Sequence, residues 1–132
     1  MKKVLTLPII FFFFFSASAQ QYECYSSSDE YDLQLCVKYI NGTAVSVKYK
    51  GQTNEPSLVL VKKITDSAGK APVEISLYNE VTRNKKIGTY TFYKTCRGYS
   101  VDYLRSNDKQ LFRFDLNTRK CDMAEARVKP CF

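Results

Sequence analysis

LQLCVKYINGTAVSVKY, residues 33–49, contains two runs in which apolar and polar side chains alternate. The apolar phase consists of Leu33, Leu35, Val37 and Tyr39 in the first run, then Val45, Val47 and Tyr49 in the second. A period of two is typical of a β-strand with one buried face. Asn41-Gly42 lies between the runs, and a type I′ turn favours this pair because both central residues need a positive φ. The segment predicts a β-hairpin, although Asn41-Gly42-Thr43 also matches a glycosylation sequon.

Further short runs follow along the chain, separated by turn residues. Leu58 to Ile64 is a continuous apolar-rich run, which we expect to form a strand buried on both faces. Later strands are expected at residues 73–77, 87–95, 99–105 and 111–116, and a short helical turn at 123–128. The sequence therefore predicts a single all-β domain, an antiparallel barrel or sandwich of about seven or eight strands.

The N-terminus has the three parts of a secretory signal peptide. Lys2 and Lys3 precede the apolar run from Val4 to Phe15, and the small residues 17–19 then fit a cleavage site. The apolar run is shorter than the roughly 20 residues that a membrane-spanning helix needs. No cysteine lies at the cleavage site, so we expect no lipoprotein anchor. We expect removal of residues 1–19, and one exported domain, periplasmic or extracellular, from residues 20–132.

All five cysteines lie in the predicted mature chain, at positions 24, 36, 96, 121 and 131. Disulfides persist in exported proteins, and an odd count leaves one cysteine over within a chain. We expect a disulfide-stabilised domain with the bridges Cys24–Cys36 and Cys121–Cys131, and with Cys96 unpaired. The alternative is a bridge from Cys24 or Cys96 to Cys121. The chain has no histidine and no Cys-x-x-Cys pair, so we expect no metal site and no cofactor.

Charge is distributed unevenly along the chain. The segment from Gln20 to Val37 has four acidic and no basic side chains, whereas the segment from Lys38 to Phe132 has 18 basic and nine acidic ones. We interpret this pattern as an acidic N-terminal arm on a basic body. Such a body favours solubility and also contact with an anionic partner, either an acidic protein face or an envelope polymer. No nucleic-acid-binding motif is present, so nucleic acid is not an expected partner.

The residue types that common catalytic mechanisms need are missing or scattered. Without histidine, the Ser-His and Cys-His routes to an activated nucleophile are absent. The acidic residues are spread over predicted strands and turns, and no spacing indicates the carboxylate pair of a glycosidase. No phosphate-binding loop or dinucleotide fingerprint occurs. We therefore expect a protein without enzymatic activity.

GTYTFYKTCRGYSVDY, residues 88–103, combines several aromatic side chains with two cations beside a predicted turn. One face of its first strand carries Tyr90, Phe92 and Lys94, and one face of its second carries Tyr99, Val101 and Tyr103. Aromatic residues pair well across strands, so most of these side chains suit a core. The hairpin tip remains, and aromatic and arginine side chains are enriched at binding hot spots. The partner-binding candidates are therefore Tyr93, Lys94 and Arg97.

Three features occur in an order that resembles small bacterial periplasmic inhibitors of c-type lysozyme. They are Tyr22-x-Cys24, the hairpin VKYINGTAVSVKY, and GTYTFYK followed by Arg97-Gly98. The resemblance covers residues 22–104, and it implies a β-barrel that inserts a loop carrying serine and lysine into the lysozyme cleft. The chain contains no Ser-Gly dipeptide, so the Ser-Gly-x-x-Tyr motif of that family is absent.

Three functions fit these observations. The first is an exported binding protein, an inhibitor or immunity-type protein that acts on a cell-wall-degrading enzyme such as lysozyme. The second is a basic module that binds an anionic envelope polymer or lipid head group. The third is a structural or assembly protein in which Cys96 forms an interchain disulfide.

Overall fold

The computed structural model describes residues 19–28, 31–69, 71–116 and 129–132. These residues form eight β-strands and no helix; the strands are β1 (Gln20–Ser27), β2 (Gln34–Ile40), β3 (Thr43–Tyr49), β4 (Ser57–Asp66), β5 (Val73–Thr82), β6 (Lys85–Thr95), β7 (Gly98–Arg105) and β8 (Leu111–Leu116). The helical turn predicted at residues 123–128 lies outside the described residues, and so does nearly all of the predicted signal peptide.

The strands form a closed barrel in which each strand pairs with the next one in the sequence. All of the pairings are antiparallel, and β1 completes the ring by pairing with β8 through Tyr25 and Leu116 and the two following register positions. Closing a sheet on itself removes most of the free edges that an open sheet would leave, although β3 and β4 meet here at a single register position. The predicted all-β antiparallel fold is confirmed, and the barrel is the correct one of the two expected architectures.

The β2–β3 hairpin has the predicted turn. Asn41 and Gly42 have φ values of 51° and 79°, which is the left-handed conformation that a type I′ turn needs. The register shifts within the hairpin, because Lys38 pairs with Ser46 whereas the next residue of β2 pairs with Ala44. Val45 is therefore an extra residue in a β-bulge, and Ala44 is the buried residue at this position. The predicted alternation through Val45 is wrong for this reason.

Phe92 lies at the centre of the barrel interior, with four tyrosine rings around it. The ring centroids of Tyr25, Tyr39 and Tyr78 lie 6.4, 6.4 and 5.3 Å from that of Phe92, each in an edge-on arrangement. Tyr90 packs beside it at 6.4 Å in a tilted arrangement. Edge-to-face packing is favoured because the positive edge of one ring meets the negative face of another. The interior is thus an aromatic core to which β1, β2, β5 and β6 all contribute.

The N-terminal segment is part of the barrel rather than an arm. Residues 20–27 form β1, which pairs with β2 over seven residue positions. Glu23 of this strand is buried, and it pairs with Lys94 instead of facing solvent. The interpretation of Gln20–Val37 as an acidic arm on a separate body is therefore wrong.

One strand, β4, differs from expectation in the faces that it buries. β4 is exposed along most of its length, and only Leu58 is buried in it. The prediction that residues 58–64 are buried on both faces is wrong, because β4 pairs with β5 along its length but with β3 at a single position. The strand predicted at residues 73–77 is present as β5, and its buried residues are Ser76, Tyr78 and Glu80.

The disulfide of the barrel joins Cys24 to Cys131, which is 107 residues further along the chain. Cys24 and Cys36 are opposite each other in β1 and β2, but the C-terminal segment places Cys131 beside both, with its N–H donating to Sγ of Cys36 at 3.5 Å. Both predicted bridges, Cys24–Cys36 and Cys121–Cys131, are therefore wrong. Cys96 is also disulfide-bonded, so the prediction that it is unpaired is wrong. Cys121 lies outside the described residues.

Truncation of the central ring should weaken the whole barrel. We expect Phe92→Ala to lower the free energy of unfolding by about 3–5 kcal/mol, because it removes a large buried side chain and leaves a cavity. Urea denaturation measures the loss. The control is Leu111→Ala, at a β8 position that is 56% exposed, which should cost less than about 0.5 kcal/mol. Equal losses for the two variants would contradict the central role of Phe92.

Candidate functional site

Lys94 faces the barrel interior, on the same side of β6 as Tyr90 and Phe92, as the alternation predicts. Its Nζ atom donates to Oε1 of Glu23 at 3.2 Å. The same Nζ lies 4.8 Å from the ring centroid of Tyr39. A cation enclosed by a carboxylate and an aromatic face is already satisfied within the protein. The predicted partner-binding role of Lys94 therefore has no support from this geometry, which instead makes Lys94 the cation that neutralises Glu23.

Glu23 has a second partner at this end of the barrel. The Tyr25 hydroxyl donates to Oε2 of Glu23 at 2.7 Å. Burial and then the charge of Glu23 raise the pKa of Tyr25 well above its ordinary value. The hydroxyl consequently keeps its proton and remains a donor. Glu23, Tyr25 and Lys94 form a completed structural cluster rather than a reactive one.

Arg97 lies in the β6–β7 turn with its side chain exposed. The turn is held by two hydrogen bonds of Thr95, whose Oγ1 accepts from the Arg97 N–H at 3.2 Å and donates to the Gly98 carbonyl at 3.0 Å. A shallow cavity of about 280 Å³ adjoins it, lined in part by Arg97, Tyr99 and Asp115. Because the turn fixes the backbone, the guanidinium can reach solvent or a partner without disturbing the core.

Tyr93 points outward and belongs to a row of apolar residues that crosses three strands. Ile64 of β4 pairs with Ile75 of β5, and Ile75 pairs with Tyr93 of β6. Leu77 lies two positions further along β5 on the same face, and Val59 of β4 lies beyond it. We call these five residues (Val59, Ile64, Ile75, Leu77 and Tyr93) the β4–β6 outer face. Tyr93 and Arg97 are close in sequence, but Tyr93 lies on the outer wall of the barrel and Arg97 lies in the β6–β7 turn.

The β4 part of this face is unusually open. Val59 and Val61 are each 53% exposed, and Ile64 is 42% exposed. Within the described residues, β4 meets β3 at one pair only, Ser46 with Ser57, so its far side has no strand partner beyond that point. A strand edge of this kind offers unpaired N–H and C=O groups for pairing with another chain. The face therefore combines an apolar surface with an open backbone edge.

Charged side chains border the β4–β6 outer face. Arg113 makes a forked contact with Asp102 at 2.7 and 2.9 Å. The Lys63–Glu74 pair, at 3.4 Å, lies on the opposite face of the β4–β5 ladder, because Lys63 is opposite the buried Ser76. Lys62 is opposite Leu77 in the register and has no ion pair among the described residues. The uncompensated charge at this border is therefore positive.

The sequence of β4 contains a signal that this strand is exposed. Lys62 and Lys63 interrupt the run from Leu58 to Ile64. Lysine is almost never fully buried unless it is paired. The two lysines therefore argue against a strand that is buried on both faces. They favour an apolar strand that is exposed to solvent.

Comparisons of the chain with protein-family models, with characterised proteins and with solved structures found no match. In the part of the chain that the structure describes, no helix is long and apolar enough to cross a membrane. The same part has no cluster of three or more His, Cys, Asp or Glu side chains suited to a metal ion.

The two cations of the predicted site should differ in their effect on stability. We expect Lys94→Ala to lower the free energy of unfolding by about 1–3 kcal/mol, because Glu23 stays buried after losing its cation. We expect Arg97→Ala to change it by less than about 0.5 kcal/mol, as for other exposed positions. Denaturation curves at neutral pH measure both. A loss for Arg97→Ala as large as that for Lys94→Ala would make the turn part of the scaffold.

Proposed function

We propose that the protein is an exported, non-enzymatic binding protein that contacts a protein partner through the β4–β6 outer face. The observation that carries this proposal is the row Ile64–Ile75–Tyr93, which leaves apolar side chains in the outer wall of the barrel beside an open strand edge. Contiguous exposed apolar surface with a polar border is typical of interaction sites. A partner that covers it gains apolar burial and can add backbone hydrogen bonds to β4.

The proposed partner is a cell-wall-degrading enzyme such as a c-type lysozyme. Enzymes that cleave glycans carry carboxylates in their clefts, and an arginine can hold a carboxylate through two parallel hydrogen bonds. Arg97 is exposed at the tip of the β6–β7 hairpin, where it can enter a cleft while Tyr93 lies on the wall of the same hairpin. A β-barrel is also the architecture that the resemblance to lysozyme inhibitors implies.

The other two hypotheses draw on different features. Binding of an anionic envelope polymer would rest on the basic surface, and charge contacts of that kind weaken steeply as salt screens them. A polymer that carries many charges would gain little from an apolar row, which is why we favour a protein partner. We do not favour an interchain bridge through Cys96, since Cys96 is disulfide-bonded in the structure of the single chain.

The experiment measures inhibition and binding by the mature protein, with its disulfides formed, against purified c-type lysozyme and a panel of purified muramidases and amidases. We expect inhibition of at least one of these enzymes by the wild type. Ile64→Glu should bind about tenfold more weakly or worse, because it places a carboxylate in an apolar contact. The control is Leu111→Glu, which adds the same charge at an exposed apolar position on β8, outside the face.

Two results would contradict the proposal. If Ile64→Glu and Leu111→Glu bind equally well, the β4–β6 outer face is not the contact surface. If the wild type binds none of these enzymes but binds an anionic polymer, with an affinity that falls as salt rises, the polymer hypothesis replaces ours.

A further inference from the structure

The C-terminal half of β4 extends past the end of its neighbour β3. The two strands pair antiparallel at Ser46 and Ser57, and β3 begins at Thr43. In the same register Thr43, three residues before Ser46, would lie opposite Leu60, three residues after Ser57. Residues 61–66 therefore have no strand beside them on this side among the described residues, and we call them the β4 edge segment.

The other side of the β4 edge segment is paired with β5. Ile64 is opposite Ile75, and Asp66 is opposite Val73. This pairing holds the segment in the extended conformation, with the backbone groups of its far side directed to solvent. Because the backbone is already extended, pairing with a further strand would need little additional ordering of the chain.

The two lysines of the segment restrict which strand can pair with it. Lysine on an edge strand discourages pairing with other chains. Lys63 is engaged by Glu74 at 3.4 Å on the inner side of the ladder. Lys62 lies on the outer side, opposite Leu77, and has no ion pair among the described residues. An incoming strand therefore needs an acidic side chain opposite Lys62.

The outer side chains of the segment form a self-complementary row. Lys62, Ile64 and Asp66 alternate along the strand and lie on one face. Oδ1 of Asp66 accepts from the Ala68 N–H at 3.0 Å, and Asp66 has no ion pair among the described residues. If a second copy pairs antiparallel with its Ile64 opposite Ile64, then Lys62 of each copy lies opposite Asp66 of the other. Opposite charges in that position are favourable.

We propose that two copies of the protein form a dimer in which their β4 edge segments pair antiparallel about a twofold axis at Ile64. The same surface of each copy then meets its counterpart, as in most symmetric dimers. The apolar row from Tyr93 through Ile75 to Ile64 continues into the second copy in reverse order. Lys62 favours the second copy over other strands, because Asp66 supplies the acidic side chain that it needs.

The dimer does not rest on the proposed enzyme contact. It uses the backbone edge of β4 and leaves the outer side chains of Ile75 and Tyr93 accessible. Dimerisation depends on protein concentration, so the edge is open in dilute solution and becomes protected as the concentration rises. A partner enzyme that also paired with β4 would compete with the second copy.

Sedimentation velocity over a concentration series of the mature protein, with its disulfides formed, tests the dimer. We expect the wild type to dimerise reversibly. Lys62→Asp and Asp66→Lys should each weaken dimerisation about tenfold or more, because each places like charges opposite each other at both ends of the row. The control is Lys86→Asp, which makes the same charge change at an exposed position of β6 and should leave dimerisation unchanged.

A mixture of the two single variants tests the register. Equimolar Lys62→Asp and Asp66→Lys should form a heterodimer with about the affinity of the wild-type dimer, because the two acidic side chains of one variant face the two lysines of the other. Native mass spectrometry separates this heterodimer from the homodimers by mass. The double variant, which carries both substitutions in one chain, should dimerise with itself for the same reason.

A wild type that stays monomeric up to millimolar concentration would overturn the proposal and leave the β4 edge to a strand of another protein. A dimer that Lys62→Asp does not weaken, or that Lys86→Asp weakens equally, would overturn it as well. Absence of the heterodimer from the mixture would exclude the register at Ile64. If Asp66→Lys does not fold, the comparison of Lys62→Asp with Lys86→Asp decides. No enzyme is present in these measurements, so their outcome is separate from that of the enzyme contact.

Discussion

The packing of Phe92 against Tyr25, Tyr39, Tyr78 and Tyr90 is the interaction on which the rest of the barrel depends. Tyrosine rings bring apolar area into the core, but each also brings a hydroxyl that needs a partner. Tyr25 meets this need with Glu23, and Tyr90 meets it with Tyr49, whose hydroxyl oxygen lies 2.7 Å away. A core built from tyrosine thus draws polar groups, including carboxylates, toward the interior.

The two ends of the barrel resolve this polarity differently. At the β6–β7 end Lys94 neutralises Glu23, while the buried Tyr39 hydroxyl beside them has no hydrogen-bond partner among the described residues. At the other end Glu80 is buried with a hydrogen bond to Tyr103, and its Oε2 atom has no hydrogen-bond partner among the described residues. Strand pairing is also uneven along the barrel wall. β4 pairs with β5 along its length, with one register shift, but it pairs with β3 at only one position. The proposed contact surface therefore lies where strand pairing is incomplete.

The sequence predicted the parts of the fold that depend on neighbouring residues. Asn41-Gly42 identified its turn, and the alternation in β6 and β7 identified which aromatic residues face inward. It missed features that depend on distant partners, such as the Cys24–Cys131 bridge across 107 residues. The charge pattern assigns Glu23 to an acidic arm because its cation, Lys94, comes 71 residues later. The openness of β4 was missed because an apolar run shows no period that separates a buried strand from an exposed one.

Residue-resolved amide hydrogen exchange tests the open edge of β4 most directly, and the proposed contact surface depends on that edge. The amides between Val59 and Asp66 that point away from β5 should exchange at least about a hundredfold faster than those of β6, because only bonded and covered amides are protected. The amides of the same strand that point toward β5 serve as an internal reference and should be protected. Uniform protection along β4 would mean that its far side is already paired, which would contradict an open apolar wall.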